Sequence, residues 1–109
     1  MIVTDDMVSE AVQWLASSDQ LAENVSLARR AADHALDEAK SRAFLESVGT
    51  VAERNAMSIV SEQYLEAAQV DSLAEARWQK FTHKRDYAKT IVDIWRTQNA
   101  NQRAAESVR

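Results

Sequence analysis

Ser47-Val48-Gly49-Thr50-Val51-Ala52-Glu53 is the stretch on which the fold of this chain turns. Gly49 is the one glycine in 109 residues that include no proline. Glycine enters the left-handed backbone region without a Cβ penalty, so it commonly sits just past the end of a helix. Immediately after it, Thr50 and Glu53 have the spacing of a capping box: the threonine oxygen takes an unpaired amide of the next first turn, and the glutamate reaches back. The segment therefore predicts that one helix stops, the chain turns at 48–50, and another helix starts at 51.

Outward from this turn the composition favours helix almost everywhere, with frequent alanine and no proline to forbid continuation. A short first helix is predicted over 5–17, where Met7, Val8, Ala11, Val12, Trp14 and Leu15 recur at three- and four-residue spacing and Thr4, Asp5 and Asp6 offer caps. A second helix is predicted over 20–47. Leu21, Val25, Ala28, Ala32, Ala35 and Ala39 follow alternating four- and three-residue steps, the signature of a coiled-coil seam narrow enough for close approach by a neighbour.

Beyond the turn, a helix is predicted over 51–60, and Ser61 reads either as the cap of a fresh start or as part of a bend. A long helix over 62–98 follows, then a polar, asparagine-rich tail over 99–109 that is expected to fray. The long helix of nearly forty residues would reach about 55 Å at 1.5 Å per residue and needs support along its length. The expected fold is a single all-α domain: a long antiparallel, coiled-coil-like helical hairpin with a short N-terminal helix, assembling into an oligomeric helical bundle.

Composition narrows the function classes. The chain is 46% hydrophobic and 28% charged, with no apolar run long enough for a membrane span and acids where an export signal needs positive charge. A cytoplasmic protein without membrane contact is expected. There is no cysteine, hence no disulfide, thiolate metal site or thiol nucleophile. The net charge of -4 conceals a division: residues 1–76 hold 14 acids and 5 bases, residues 77–109 hold 3 acids and 8 bases. Two readings remain open, an acidic helix neutralising a basic one, or a basic face that contacts nucleic acid or an acidic protein.

No catalytic constellation is legible. One glycine rules out a phosphate-cradling loop or a nucleophile elbow, and neither His34 nor His83 sits in a triad context. His34 and Glu38 are four apart, but a lone helical histidine is far more often a surface residue than a ligand. The expectation is a non-enzyme with no metal, no cofactor and no small-molecule substrate. Candidate contacts to a protein partner or to single-stranded DNA are Arg77, Lys80, Lys84, Arg85, Lys89, Arg96 and Arg103, whose charges suit phosphates. Trp78, Phe81, Tyr87, Ile91 and Trp95 interleave with them and are expected to form a homo-oligomer interface, because a slender hairpin has too little interior for them.

The segments Gly49-Thr-Val-Ala-Glu-Arg-Asn-Ala56, Ser61-Glu-Gln-Tyr64, Arg85-Asp-Tyr-Ala88 and Ile91-Val-Asp-Ile-Trp-Arg-Thr-Gln-Asn-Ala-Asn-Gln-Arg103 resemble small helical proteins of tailed phages and prophages. Such proteins tend to be encoded in early regions near recombination and single-strand-binding functions. The resemblance covers about half of the chain and carries no catalytic residue. It implies a role in phage DNA metabolism; with no catalytic constellation legible, the leading expectation is a non-catalytic accessory protein that binds a protein or DNA partner in recombination or replication. The alternatives are a small phage inhibitor, whose acidic face imitates phosphates before a host nucleic-acid enzyme or defence complex, and a structural assembly protein.

Overall fold

The computed structural model describes residues 1–107. The protein is all-α, with helices α1 (Asp5–Ser17), α2 (Asp19–Glu46), α3 (Val51–Val60) and α4 (Glu62–Ser107), and no strand among the described residues. Three of the four helix starts among the described residues carry a side-chain cap. Thr4 Oγ1 accepts the Met7 amide at 3.2 Å and caps α1. Thr50 Oγ1 accepts the Glu53 amide at 3.2 Å and caps α3. Between α2 and α3, Gly49 takes a φ of +126°, the only positive φ among the described residues. The alternatives at Ser61 resolve into a true break. Its backbone is extended, its hydroxyl donates to Ser58 O at 2.8 Å, and the same oxygen accepts the Tyr64 amide at 3.2 Å. One serine thus closes α3 and opens α4.

The chain forms two compact units, Met1–Ala22 with Lys80–Arg109, and Glu23–Gln79. In the first unit, α1 runs antiparallel to the C-terminal part of α4: Trp95 Nε1 donates to Asp5 Oδ1 at 3.1 Å, and the Trp14 and Phe81 rings meet at 5.7 Å. Its core is Val3, Val8, Ala11, Ala88 and Ile91, with Met7, Trp14, Leu15, Val92, Ile94 and Trp95 packed around it. Full burial of an isoleucine such as Ile91 contributes about 1.5–3 kcal/mol. The segment before α1 is held as firmly. Gln98 accepts the Val3 amide at 2.9 Å and returns its own NH2 to Val3 O at 3.0 Å.

The long helix outruns its expected end at 98: where a polar tail over 99–109 is expected to fray, α4 continues to Ser107, and 108–109 lie outside the described residues. Gln98 and Trp95, which anchor the chain start, fix the helix close to that stretch.

In the second unit, α2 and α4 also run antiparallel. Arg29 Nε donates to Glu75 Oε2 at 2.6 Å, while further along α2, Glu46 accepts from Gln63 at 3.1 Å, further back along α4. The seam keeps its heptad period but shifts in membership. Ala22, Val25, Arg29, Ala32, Leu36, Ala39 and Ala43 are buried or half-buried, whereas Leu21, Ala28 and Ala35 are exposed. The inner line accepts Arg29 because its guanidinium has both an acid and a π face to meet. It pairs with Glu75 and lies 5.3 Å over the Trp78 ring. Asp71 faces this cluster, and its carboxyl is raised above the ordinary 3.8, first by hydrogen bonding with the Asp33 carboxyl, then by desolvation and by the negative charges of Asp33 and Glu75.

Candidate interaction surfaces

The bases expected to contact a partner divide once placed on the helix. Lys80, Lys84, Lys89, Arg96 and Arg103 are exposed in the first unit, and Arg77 is exposed in the second. Lys80 and Lys84 are one turn apart, on one side of α4. Lys89, Arg96 and Arg103 follow at seven-residue steps on another side, about 140° around from Lys84 on an ideal helix. Several are engaged within the chain. Lys84 Nζ sits 4.9 Å over the Trp14 ring, and Arg96 approaches Asp93 at 4.0 Å. Arg85 is half-buried, with its Nε enclosed and lacking a hydrogen-bond partner. One continuous phosphate-tracking stripe does not result from this arrangement.

The expected oligomer interface is corrected for two of its members. Ile91 is 2% and Phe81 7% exposed. Ile91 is consumed by the core that α1 completes on α4 and Phe81 packs on the Trp14 ring of α1, so neither is available to a second copy. A hairpin of α2 and α4 alone has too little interior for these side chains, and α1 supplies that interior. Trp95 and Trp78 are half-buried, the first donating to Asp5 and the second lying beneath Arg29. Tyr87, 59% exposed, remains at the surface. It edges an open concavity of about 340 Å³ between α1 and α4, floored by Met7, Ala11, Trp14 and Ile91 with Glu10 and Lys84 beside it.

A larger apolar surface lies where sequence reading did not place one. In the second unit the fully buried residues are Ala32, Ala43, Ser58 and Ala74, none of them large. Ten large apolar side chains of that unit are instead exposed, among them Leu45, Val48, Val51, Met57, Ile59, Val60 and Leu65 around the turn and α3. A signal was present in the sequence. In α3, Arg54 and Ser58 are four apart and turn inward, while Ala56, Met57 and Val60 fall at the three- and four-residue spacings of a shared outer face.

The charge around this surface is mainly acidic. Lys40 lines a neighbouring concavity with Leu45 and Asn55, Arg42 lines another with Glu46 and Glu66 and pairs with Glu38, and Arg54 is occupied. Its Nε donates to Phe44 O at 3.1 Å, and its guanidinium lies 4.4 Å over the Phe44 ring. The ion pairs among the described residues are Arg29–Glu75, Arg42–Glu38 and Arg96–Asp93, so Glu46, Glu53, Glu62 and Glu66 face no base within pairing distance.

Among the described residues no three histidine, aspartate or glutamate side chains gather as a metal site, and His34 and Glu38 are both exposed. No described helix is long and apolar enough to cross a membrane. Compared with known protein families, curated proteins and solved structures, the chain matches none.

Proposed function

We propose that this chain is a non-catalytic accessory protein of phage recombination or replication that works by binding another protein. One observation carries the reading: a 57-residue unit, Glu23–Gln79, that completely buries none of its large apolar side chains and exposes ten. Monomeric proteins rarely leave contiguous apolar surface beyond a few hundred Å², and larger patches mark interaction sites. The resemblance of the Gly49–Ala56 and Ile91–Arg103 segments to small phage proteins supplies the setting. DNA is the weaker partner, because the bases stand on two sides of α4 and Lys84 and Arg96 have partners within the chain.

Affinity capture from host lysate, with and without nuclease, tests this directly. A captured protein that survives nuclease is the expected result. Capture that disappears with nuclease, or no capture at all, overturns the reading. Self-association is part of the same proposal. Light scattering is expected to return more than the 12.2 kDa of one chain at micromolar concentration, and a monomer mass throughout would remove that part.

The rival reading, a phage inhibitor that imitates phosphates, is favoured by one fact. Glu23–Gln79 holds ten acids and six bases, whereas the other unit holds seven of each, so the whole net charge belongs to the second unit. Reversing Asp33 and Asp37, both exposed, releases the captured partner if this rival is right.

A further inference from the structure

Resting on the protein-binding reading above, we propose that the outer face of α3, together with Val48, is the docking surface, and that it takes a basic amphipathic helix of another protein. The face is built by four residues at helical spacing, Glu53, Ala56, Met57 and Val60, all exposed. Val48, 91% exposed, joins it across the turn. Val48, Ala56 and Met57 line a shared concavity of about 620 Å³ that also carries Glu46 and Glu53. This is an apolar floor with a carboxylate edge.

The charge pattern selects the occupant. Glu46 and Glu53 line the concavity and no base does; of the bases nearby, Arg54 is held on Phe44, Arg42 pairs with Glu38 and Lys40 lines a separate concavity. Glu46 accepts a hydrogen bond from the uncharged Gln63 and keeps its charge unpaired. An apolar helix flanked by Lys or Arg would fill the floor and pair the rim, the mode in which amphipathic helices enter grooves. A second copy fits worse. Two such faces brought together would oppose glutamates with glutamates, and like charges across an interface cost affinity. Nor does α4 of another copy supply the needed helix. Its basic stretch has spent Phe81 and Ile91 on its own core, leaving Tyr87 as the exposed large apolar side chain beside the lysines.

The test uses the full chain and three fluorescent synthetic 18-residue peptides: an amphipathic leucine–lysine helix, its leucine–glutamate counterpart, and a leucine–lysine scramble without an amphipathic face. The leucine–lysine helix alone is expected to bind, with amide shifts in NMR spectra confined to residues 45–66. Met57→Ser and, separately, Glu46→Lys are each expected to weaken it by about tenfold or more, as central contacts of an interface do. Tyr87→Ser leaves it unchanged. All three variants are at exposed positions, and circular dichroism is the check that they fold.

Equal binding of the glutamate peptide or the scramble, or shifts centred elsewhere, overturns the proposal. So does light scattering in which Met57→Ser dissolves a wild-type oligomer, since a second copy would then occupy the face. Lysate capture separates the two levels. If Met57→Ser still captures the nuclease-resistant partner as well as wild type does, the accessory-protein reading stands and the docking surface is wrong. If wild type captures no protein, the broader reading fails whatever the peptides do.

Discussion

At Gly49 the backbone sits at a φ of +126°, and a Cβ built there would lie 2.5 Å from Glu53 Oε2. The glutamate end is flexible and can move aside, so the backbone conformation is the larger penalty. Gly49→Ala is expected to cost about 1–3 kcal/mol in urea unfolding, and adding Glu53→Ala should not recover it. Asp71 gives a second residue-scale prediction. Its raised carboxyl means that the folded chain holds this proton more tightly than the unfolded chain does. That contribution is therefore fully present below the unfolded value and is lost as pH rises through the folded one. Asp71→Asn, which keeps an amide in place of the protonated acid, should raise the melting temperature at pH 7. The gain should shrink as pH falls towards about 4, near the unfolded value of an aspartate. Melting curves across that range decide it, and a variant less stable than wild type at neutral pH would contradict the account.

Among the elements, α1 depends on a surface that lies far along the chain. Ile91→Ala empties the centre of the core that α1 shares with α4 and is expected to cost about 2–5 kcal/mol. Amide exchange should show α1 losing protection first. Met57→Ser on the outer face of α3 should change stability by no more than about 0.5 kcal/mol, as exposed substitutions do. The contrast separates a side chain used for folding from one left for a partner. It also marks what could be read from the residues. Gly49, Thr50 and the apolar stripe of α1 act through local geometry, and their roles were legible. The seam was legible in period but not in membership. Alanine suits either face of a helix, so Ala28 and Ala35 looked as good as the true line. Only contacts from α4 reveal why Arg29 belongs inside. Likewise, nothing near Gln98 announces that it grips Val3. The basic candidates were legible as residue types, but reading them as one face ignored the helical rotation between Lys84 and Lys89.

For the molecule as a whole, folding redraws the charge division of the sequence. The basic C-terminal stretch shares its unit with Asp5, Asp6, Glu10 and Asp19 and comes out neutral, while Glu23–Gln79 carries the entire -4. Fluorescence anisotropy with a labelled single-stranded oligonucleotide is therefore expected to show weak binding with a shallow salt dependence. A steep loss of affinity with salt, abolished by Lys84→Glu with Arg85→Glu, would return DNA to the leading position. The Val3–Gln98 clamp has a last consequence, and it concerns time. Its two partners are 95 residues apart in the chain, and Trp95 and Ile91, on which α1 rests, are made almost as late. At ribosomal speeds of about 5–20 residues per second, α1 emerges roughly 4–15 s before the surface it needs. During synthesis, then, α1 is made long before it finds its place, and its Met7, Val8, Trp14 and Leu15 wait in water until the stretch from Ile91 to Gln98 has emerged.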